Sequence, residues 1–126
     1  MTLRVLVVDD HPAFRRALTS ALKMVGGIEV AGEAGGGLAA TQQARDLEPD
    51  VVLMDLSMPD LDGIDAMREI HKRKPHIPVV ILTAHADPGV EKEARAAGAS
   101  GFLAKGIGLE DLVVVLHEAA DADGEA

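Results

Sequence analysis

Short runs of apolar residues recur along the chain and alternate with longer segments whose hydrophobic positions have a different period. The runs occupy residues 3–8, 28–34, 50–55, 77–83 and 100–105. Within several of them the apolar residues are consecutive, which is typical of strands that are covered on both faces. The pattern therefore predicts five buried β-strands.

The segments between the runs place apolar residues at the 3.6-residue period of an α-helix. Such stripes are formed by Phe14, Leu18, Ala21, Leu22 and Val25, by Ile64, Met67 and Ile70, and by Leu109, Leu112, Val113 and Leu116. The segments 37–47 and 87–97 are weaker helix candidates, because alanine supplies most of their apolar positions. One helix is therefore predicted after each strand.

Proline and glycine mark the boundaries of these helices. Pro12 suits a first helical turn, and Asp87 before Pro88 is a favourable helix start. The first four predicted helices end at Gly26–Gly27, Pro49, Pro75 and Gly98. Five alternating strands and helices predict an α/β fold of three layers, with a five-stranded parallel sheet between two layers of helices.

Length, cysteine content and charge narrow the class of protein. The 126 residues fit one domain, which we place at 1–120, and the acidic residues 121–126 read as a tail or the start of a linker. There is no cysteine for a disulfide or a thiolate metal site, and no membrane-spanning or signal-like segment, so we expect a cytoplasmic protein without a membrane contact. The net charge of −9 would repel a phosphate backbone, so direct nucleic-acid binding by this segment is not expected.

Polar and charged residues stand where several of the predicted strands end. Asp9 and Asp10 follow the first strand, and Asp55 ends the third. Thr83 ends the fourth strand and Lys105 ends the fifth. Because ligands of open parallel α/β sheets bind beyond the carboxyl ends of the strands, we expect these five side chains to meet at one rim of the sheet.

Three carboxylates at one rim repel one another, and a pair ~4 Å apart costs roughly 4 kcal/mol at a surface-like dielectric. A set of oxygen ligands favours a hard divalent cation, and Mg²⁺ fits best because it needs only one or two direct carboxylates. We predict Asp10 and Asp55 as direct ligands and Asp9 as a ligand through water. The backbone carbonyl of Ser57 is also placed to reach the ion.

A cation beside a carboxylate, with a lysine and a threonine opposite, outlines a site for phosphoryl transfer. Asp55 is the candidate nucleophile and would become an aspartyl phosphate. Lys105 and the cation would neutralise charge on the phosphoryl oxygens during transfer. Thr83 would then donate its hydroxyl to one of those oxygens.

With these residues in view, the chain resembles the receiver domain of bacterial two-component response regulators over residues 2–120. The matching segments, in order, are VLVVDDHPAFRRAL, VAGEA, PDVVLMDLSMPDLDG, PVVILTA and GASGFLAK. The segment DDHPAFRRAL, together with the glycine after the lysine, most resembles the NarL/FixJ subfamily, whose members usually carry a helix-turn-helix (LuxR-type) output domain.

The resemblance implies a flavodoxin-like (βα)5 fold with strand order 2-1-3-4-5. It implies a sensor histidine kinase as partner, whose phosphohistidine donates to Asp55, and a phosphorylation-dependent homodimer as a further partner state. It also implies that Thr83 and Phe102 form a switch, in which the hydroxyl moves toward the phosphoryl group and the ring turns inward. This remodels the face formed by the fourth helix, the fifth strand and the fifth helix.

Residues beside the predicted site bear on its properties. His11 and His85 are not predicted as metal ligands, because the oxygen set is complete without them. Gly106 follows Lys105 where many family members have proline, so this loop is expected to be more pliant and the lysine less rigidly placed. Ser57 and His85 flank the path of a hydrolytic water, so we expect them to tune the lifetime of the phosphoryl group.

Simpler roles for the same residues remain open. Asp9 and Asp10 are also candidates for capping the helix that begins near Pro12. The other simple roles are a turn residue for Asp55, a solvated lysine for Lys105, core packing for Phe102 and an ordinary strand position for Thr83.

Three other functions compete with a phosphorylated switch that controls transcription. A phosphatase with an aspartyl nucleophile needs a general acid two residues after that nucleophile, where this chain has Ser57, so no enzyme activity beyond self-phosphorylation and slow dephosphorylation is expected. A single-domain receiver that acts on a protein partner is the main alternative. The third competitor is an interaction module that is never phosphorylated, although the complete acidic set argues against it.

Overall fold

The computed structural model describes residues 2–124, with side chains described through residue 121. The strands are β1 (Leu3–Val8), β2 (Ile28–Ala34), β3 (Val51–Asp55), β4 (Val79–Thr83) and β5 (Gly101–Ala104). The helices are α1 (Pro12–Lys23), α2 (Gly37–Leu47), α3 (Gly63–Arg73), α4 (Pro88–Ala96) and α5 (Leu109–Gly124). The predicted alternation of strands and helices is confirmed.

The five strands run parallel in the order β2-β1-β3-β4-β5, which confirms the flavodoxin-like fold. β1 pairs on both sides, so that Val5 lies opposite Val30 of β2 and Val51 of β3. After β2 the chain crosses to the other side of β1, and the strand order therefore reverses between β1 and β3. The loops that leave two such strands diverge and open a crevice at the carboxyl end of the sheet.

Apolar side chains fill a core on each face of the sheet. β3 and β4 are buried along their whole length, which explains their consecutive apolar residues. The core that includes Met67 of α3 also takes residues of α2 and α4, whereas Leu22 of α1 and Leu116 of α5 pack on the opposite face. Full burial of a side chain of this size contributes roughly 1.5–3 kcal/mol, so the two cores hold the sheet rigid beneath the rim.

The weak helix candidates are real helices that touch the sheet through small side chains. Ala40 and Ala44 bring α2 close to the sheet, and Ala94 does the same for α4. Asp87 caps α4 and accepts hydrogen bonds from the N–H groups of Gly89 and Val90. A stripe of alanines gives little hydrophobic contrast, which is why the periodicity was faint in these two segments.

Several predicted boundaries are wrong by one or two residues. Asp50, Ile77, Pro78, Ser100 and Lys105 were predicted in strands and lie outside them. Ile77 and Pro78 show the reason, because both are buried, and burial therefore continues past the residues that pair with a neighbouring strand.

Two helix ends also differ from the prediction. α1 ends at Lys23 with Met24 as its C-cap, so Val25, which was predicted on the helical stripe, lies beyond the helix. α5 continues through Gly124, so the first four residues of the predicted tail at 121–126 are helical. Glu125 and Ala126 fall outside the described residues, and the domain boundary at residue 120 stays a prediction. No helix within residues 2–124 combines the length and the apolar character that crossing a bilayer requires.

Candidate phosphoacceptor and metal site

Asp9 is held at the end of β1 with both carboxylate oxygens engaged. Its backbone N–H donates to the carbonyl of Ala34 at 3.0 Å, which extends the ladder between β1 and β2 by one residue. Its Oδ2 lies 2.8 Å from Nζ of Lys105, and its Oδ1 accepts the backbone N–H of His11 at 2.8 Å. The side chain is only 3% exposed, so these contacts are shielded from water.

Asp55, the last residue of β3, has one engaged and one free oxygen. Its Oδ1 lies 3.5 Å from Nζ of Lys105, whereas its buried Oδ2 has no hydrogen-bond partner. Burial raises the pKa of Asp55 to about 6, the negative charge of Asp9 adds to the rise, and the ammonium of Lys105 partly offsets it. At neutral pH most molecules therefore carry an ionised Asp55 with an oxygen free to react.

Asp10 contributes a second unsatisfied oxygen at the same place. Its Oδ1 is buried without a hydrogen-bond partner, and ligand atoms from Asp9, Asp10, His11 and Asp55 all lie within 4.8 Å of one another. A buried polar atom without a partner is costly, and two unpartnered carboxylate oxygens at one spot are what a cation would satisfy. These residues fit Mg²⁺.

Ser57 reaches the same region from the loop that follows β3. It lines an open cleft together with Asp10 and His11. The cleft lies directly beside the carboxylates, so a backbone carbonyl in this loop is a reasonable metal ligand. The assignment of the Ser57 carbonyl as that ligand stays a prediction.

Lys105 is fixed by contacts at the end of its side chain. Its Nζ lies over the ring of Phe14, 4.4 Å from the ring centroid, in addition to its contacts with Asp9 and Asp55. Its backbone N–H donates to the carbonyl of Thr83 at 2.8 Å. The side chain is 16% exposed, which is incompatible with an ordinary solvated lysine. Two carboxylates and an aromatic face therefore hold the ammonium group at the rim.

The loop between β3 and α3 is anchored by Asp60. This carboxylate accepts the N–H of Gly37 at 3.0 Å and the N–H of Leu38 at 3.1 Å, the first two residues of α2. Helix α2 has no capping side chain of its own, since its N-cap is Gly36. These backbone hydrogen bonds lower the pKa of Asp60 below its ordinary value. We call this contact the Asp60 cap.

Two residues of the triple glycine at 35–37 are tightly packed. A Cβ on Gly36 would lie 2.8 Å from Oδ2 of Asp60, and a Cβ on Gly37 would lie 2.6 Å from the carbonyl oxygen of Leu61. Both glycines are buried. The absence of side chains therefore lets the β3–α3 loop approach the start of α2.

Thr83 and Phe102, the predicted switch pair, lie on neighbouring strands. Thr83 is buried at the end of β4, and its Oγ1 accepts the backbone N–H of His85 at 3.2 Å. Phe102 pairs in register with Ile81, and its side chain is already buried in the core. The buried ring fits core packing as well as an inward-turned switch residue, so the switch role stays a prediction.

Three contacts of the site were missed by sequence reasoning. Asp60 lies 23 positions from its partner Gly37, and Phe14 was assigned only to the apolar stripe of α1. His11, which had been set aside, lies against Asp9 and Asp10 and serves as the N-cap of α1, although it makes no side-chain capping bond. The two aspartates accordingly do not cap α1. The Asp60 and Phe14 contacts join segments that are distant in sequence, so no local pattern indicates them.

The family is shown by comparison with known proteins. A model of the response regulator receiver domain matches residues 5–117. The chain belongs to this family. The receiver is 39% identical over 116 residues to the response regulator GacA of Pseudomonas aeruginosa, and the match covers 92% of this chain and 54% of GacA. The chain thus spans about half the length of this curated relative.

Solved receiver structures agree with this assignment. The signal receiver domain of the response regulator NarL from Mycobacterium tuberculosis has a TM-score of 0.91 at 34% identity, with 95% of this chain and 97% of that chain covered. The receiver domain of the sensor histidine kinase PA1611 from Pseudomonas aeruginosa PAO1 has a TM-score of 0.85 at 28% identity, covering 96% and 99% respectively. That structure has a magnesium ion coordinated in its active site cleft. The resemblance to the NarL/FixJ subfamily is confirmed.

Proposed function

We propose that Asp55 of this receiver takes a phosphoryl group from a histidine kinase and thereby switches an output. The observation that carries the proposal is the Oδ2 of the buried Asp55, which has no hydrogen-bond partner and lies close to Lys105 and to the carboxylates of Asp9 and Asp10. The kinase partner itself is inferred from membership of the receiver family.

The neighbours of Asp55 support its choice as the acceptor. Asp9 already has Lys105 on one oxygen and a backbone N–H on the other, so its electron pairs are engaged. Asp55 is ionised at neutral pH because its pKa, although raised, is about 6. A carboxylate with a free oxygen and a partly compensated charge is the better nucleophile of the two.

The transfer exchanges one bond to phosphorus for another. One carboxylate oxygen of Asp55 forms the new O–P bond and leaves the other for the cation, while the N–P bond to the phosphohistidine of the kinase breaks and the imidazole leaves with its electron pair. Lys105 stays close enough to pair with a phosphoryl oxygen. Mg²⁺, held by Asp10, Asp55 and the carbonyl of Ser57 with Asp9 acting through water, would neutralise charge on the same group.

The phosphoryl group on Asp55 would give the hydroxyl of Thr83 a new hydrogen-bond acceptor, and we infer the switch from this change. In the structure its hydroxyl accepts a hydrogen bond from His85, and a phosphoryl oxygen would attract it as a donor. We infer that this reorientation, with Phe102 packed inward, alters the face formed by α4, β5 and α5. The match covers 54% of the response regulators GacA and VraR, which supports an output outside these residues, with transcription control through a helix-turn-helix domain as the leading case.

A labelling experiment tests the acceptor. Incubation with acetyl phosphate and Mg²⁺, or with a phosphorylated histidine kinase, should add one phosphoryl group, which peptide mass spectrometry should locate at Asp55. Asp55→Asn should stay unlabelled, whereas Asp65→Asn, which removes an exposed carboxylate on α3, should be labelled normally. Label on another residue, or equal labelling of Asp55→Asn, would overturn the proposal.

The same samples separate the competing functions. One stable phosphoryl group per chain supports a switch, and continuous phosphate release from unrelated monoesters would favour a phosphatase. Sedimentation before and after labelling tests the proposed phosphorylation-dependent homodimer. A dimer that forms in the wild type and not in Thr83→Ala, with labelling intact in both, would place the switch at Thr83.

A further inference from the structure

A histidine stands among the carboxylates at the mouth of the site. Nδ1 of His11 lies 3.2 Å from Oδ1 of Asp9 and 3.2 Å from Oδ1 of Asp10. Within the part of the chain that the structure describes, this Asp10 oxygen and Oδ2 of Asp55 are the buried carboxylate oxygens without a hydrogen bond, since the His11 nitrogen is near Asp10 but not in hydrogen-bond geometry. The His11 side chain is 66% exposed, and the two aspartates are the polar groups recorded in contact with its ring.

The spacing of these atoms matches the edges of a coordination shell. In an octahedral site with bonds of about 2.1 Å, neighbouring ligand atoms are about 3 Å apart and opposite ones about 4.2 Å apart. The nitrogen lies close to the first distance from Oδ1 of the direct ligand Asp10, and the candidate ligand atoms of Asp9, Asp10, His11 and Asp55 fall within 4.8 Å of one another. A cation at the carboxylates therefore needs only a small adjustment of the ring to gain a nitrogen ligand.

The backbone holds His11 in this position before any ion arrives. Pro12 follows it, and the residue before a proline is restricted to extended conformations, as the φ of −92° and ψ of 103° of His11 show. Its backbone N–H is tied to Oδ1 of Asp9 at 2.8 Å. The side chain consequently leaves the backbone beside the carboxylates before any ion is bound.

We propose that His11 is a fourth protein ligand of the metal site and shifts the preference of that site from Mg²⁺ toward divalent transition-metal ions. Imidazole suits most of these ions, whereas Mg²⁺ takes oxygen ligands and keeps water at the same position. Mn²⁺ is the transition-metal ion whose preference for oxygen is nearest to that of Mg²⁺, so it is the most demanding probe, and its unpaired electrons report the ligand. The inference rests on the metal site of the proposed function and adds a residue and a metal preference to it.

A simpler role for His11, as a counter-ion of the two aspartates, predicts the opposite effect on metal affinity when the ring is removed. If its ring is only a positive counter-ion between Asp9 and Asp10, it competes with a metal ion for the same oxygens. Removing the ring would then leave metal affinity unchanged or increase it. If the ring is a ligand, removing it must decrease the affinity for Mn²⁺.

Calorimetric titration of the whole chain with Mn²⁺ and with Mg²⁺ separates these roles. His11→Asn should raise the Kd for Mn²⁺ by at least about tenfold, since even the loss of a group that only supports a ligand costs that much, and should raise the Kd for Mg²⁺ far less. His85→Asn, two residues beyond the end of β4, is the matched control and should change neither value.

Pulsed electron paramagnetic resonance of bound Mn²⁺ identifies the ligand directly. The wild type and His85→Asn should show coupling to imidazole nitrogen, and His11→Asn should not. Saturable Mn²⁺ binding without nitrogen coupling, or an unchanged Mn²⁺ to Mg²⁺ preference in His11→Asn, overturns this inference and leaves the proposed function intact. Failure of the folded wild type to bind either ion overturns both.

Discussion

Two loops bring functional groups to the same rim, and they are held in opposite ways. The loop between β3 and α3 is fixed along its backbone by the Asp60 cap and by the N–H of Gly63, which donates to the carbonyl of Leu56 at 2.7 Å. The loop between β5 and α5 contains Gly106 and Gly108, around which no atom would touch an added Cβ. Lys105 of this loop makes one backbone hydrogen bond, to Thr83, and is otherwise held by its side-chain end, where Nζ contacts Asp9 and Phe14.

The difference follows from what each loop supplies. A backbone carbonyl, predicted as a metal ligand at Ser57, moves with its peptide group and is placed only if the backbone is fixed. An ammonium group at the end of four methylenes is placed by its own partners, which here are Asp9, Asp55 and Phe14. The sequence expectation that Gly106 leaves Lys105 loosely placed does not fit the ammonium group, which has three partners, and a more pliant loop backbone stays a prediction.

Among these substitutions, Gly37→Ala should lower the stability of the fold most. Its Cβ would lie 2.6 Å from the carbonyl oxygen of Leu61, so the β3–α3 loop must move away from α2. Overpacking of this kind costs about 1–3 kcal/mol of unfolding free energy, measurable by urea denaturation. The affinity for Mg²⁺ should fall with it, and a variant as stable and as tightly binding as the wild type would contradict the role of the Asp60 cap.

Asp60→Asn should have a smaller and pH-dependent effect. The native pKa of Asp60 lies below its ordinary value, so its charge stabilises the fold above that ordinary value, about 4, and the benefit is lost as pH falls through the native pKa. Thermal melts should show a lower midpoint than the wild type at neutral pH and converging midpoints in acid. A gap that stays constant into strong acid would exclude the charge as the cause.

Phe14→Leu tests the support of Lys105. Loss of the aromatic face should cost about 1 kcal/mol and slow labelling of Asp55 only modestly, because both carboxylates still hold the ammonium group. A double-mutant cycle with Lys105→Met isolates the pair, and we expect a coupling free energy of about 0.5–1 kcal/mol. Zero coupling would mean that the ring acts only as core packing.

Gly106→Ala should have the smallest effect and is the matched control for Gly37→Ala. Nothing lies within 4 Å of the added Cβ, and this residue is not among the glycines with positive φ. Unfolding free energy should change by less than about 1 kcal/mol, in the stabilising direction if at all. A marked loss of phosphorylation rate would show that Lys105 depends on a flexible loop after all.

The fold was predictable because hydrophobic pattern and boundary residues agreed. The bounds of β1, β2 and α2 match the predicted segments, and Asp87 caps α4 as the Asp-Pro pair suggested. The predicted bounds of β3, β4 and β5 were each wrong by one or two residues. At β4 the cause is that Ile77 and Pro78 remain buried where strand pairing has stopped. Local pattern reports burial, whereas strand bounds depend on neighbouring strands.

In the candidate site, too, some features were predictable from the sequence and others depend on contacts formed only in the folded chain. The meeting of Asp9, Asp10 and Asp55 followed from one rule about the carboxyl ends of parallel strands, and the structure brings their carboxylates together. The pairing of Lys105 with Asp9 at 2.8 Å, closer than with Asp55 at 3.5 Å, depends on side-chain packing that the rule does not address. The Asp60 cap likewise depends on two loops that meet only after folding.

Titration of the folded chain with Mg²⁺ at neutral pH tests the central claim, that carboxylates from β1 and β3 share one divalent cation. We predict a single saturable site that is lost in Asp10→Asn and in Asp55→Asn and kept in Asp65→Asn. Binding should weaken as pH falls through about 6, where Asp55 takes up a proton that competes with the ion. No saturable binding by the folded protein, or equal binding by Asp55→Asn, would contradict the account.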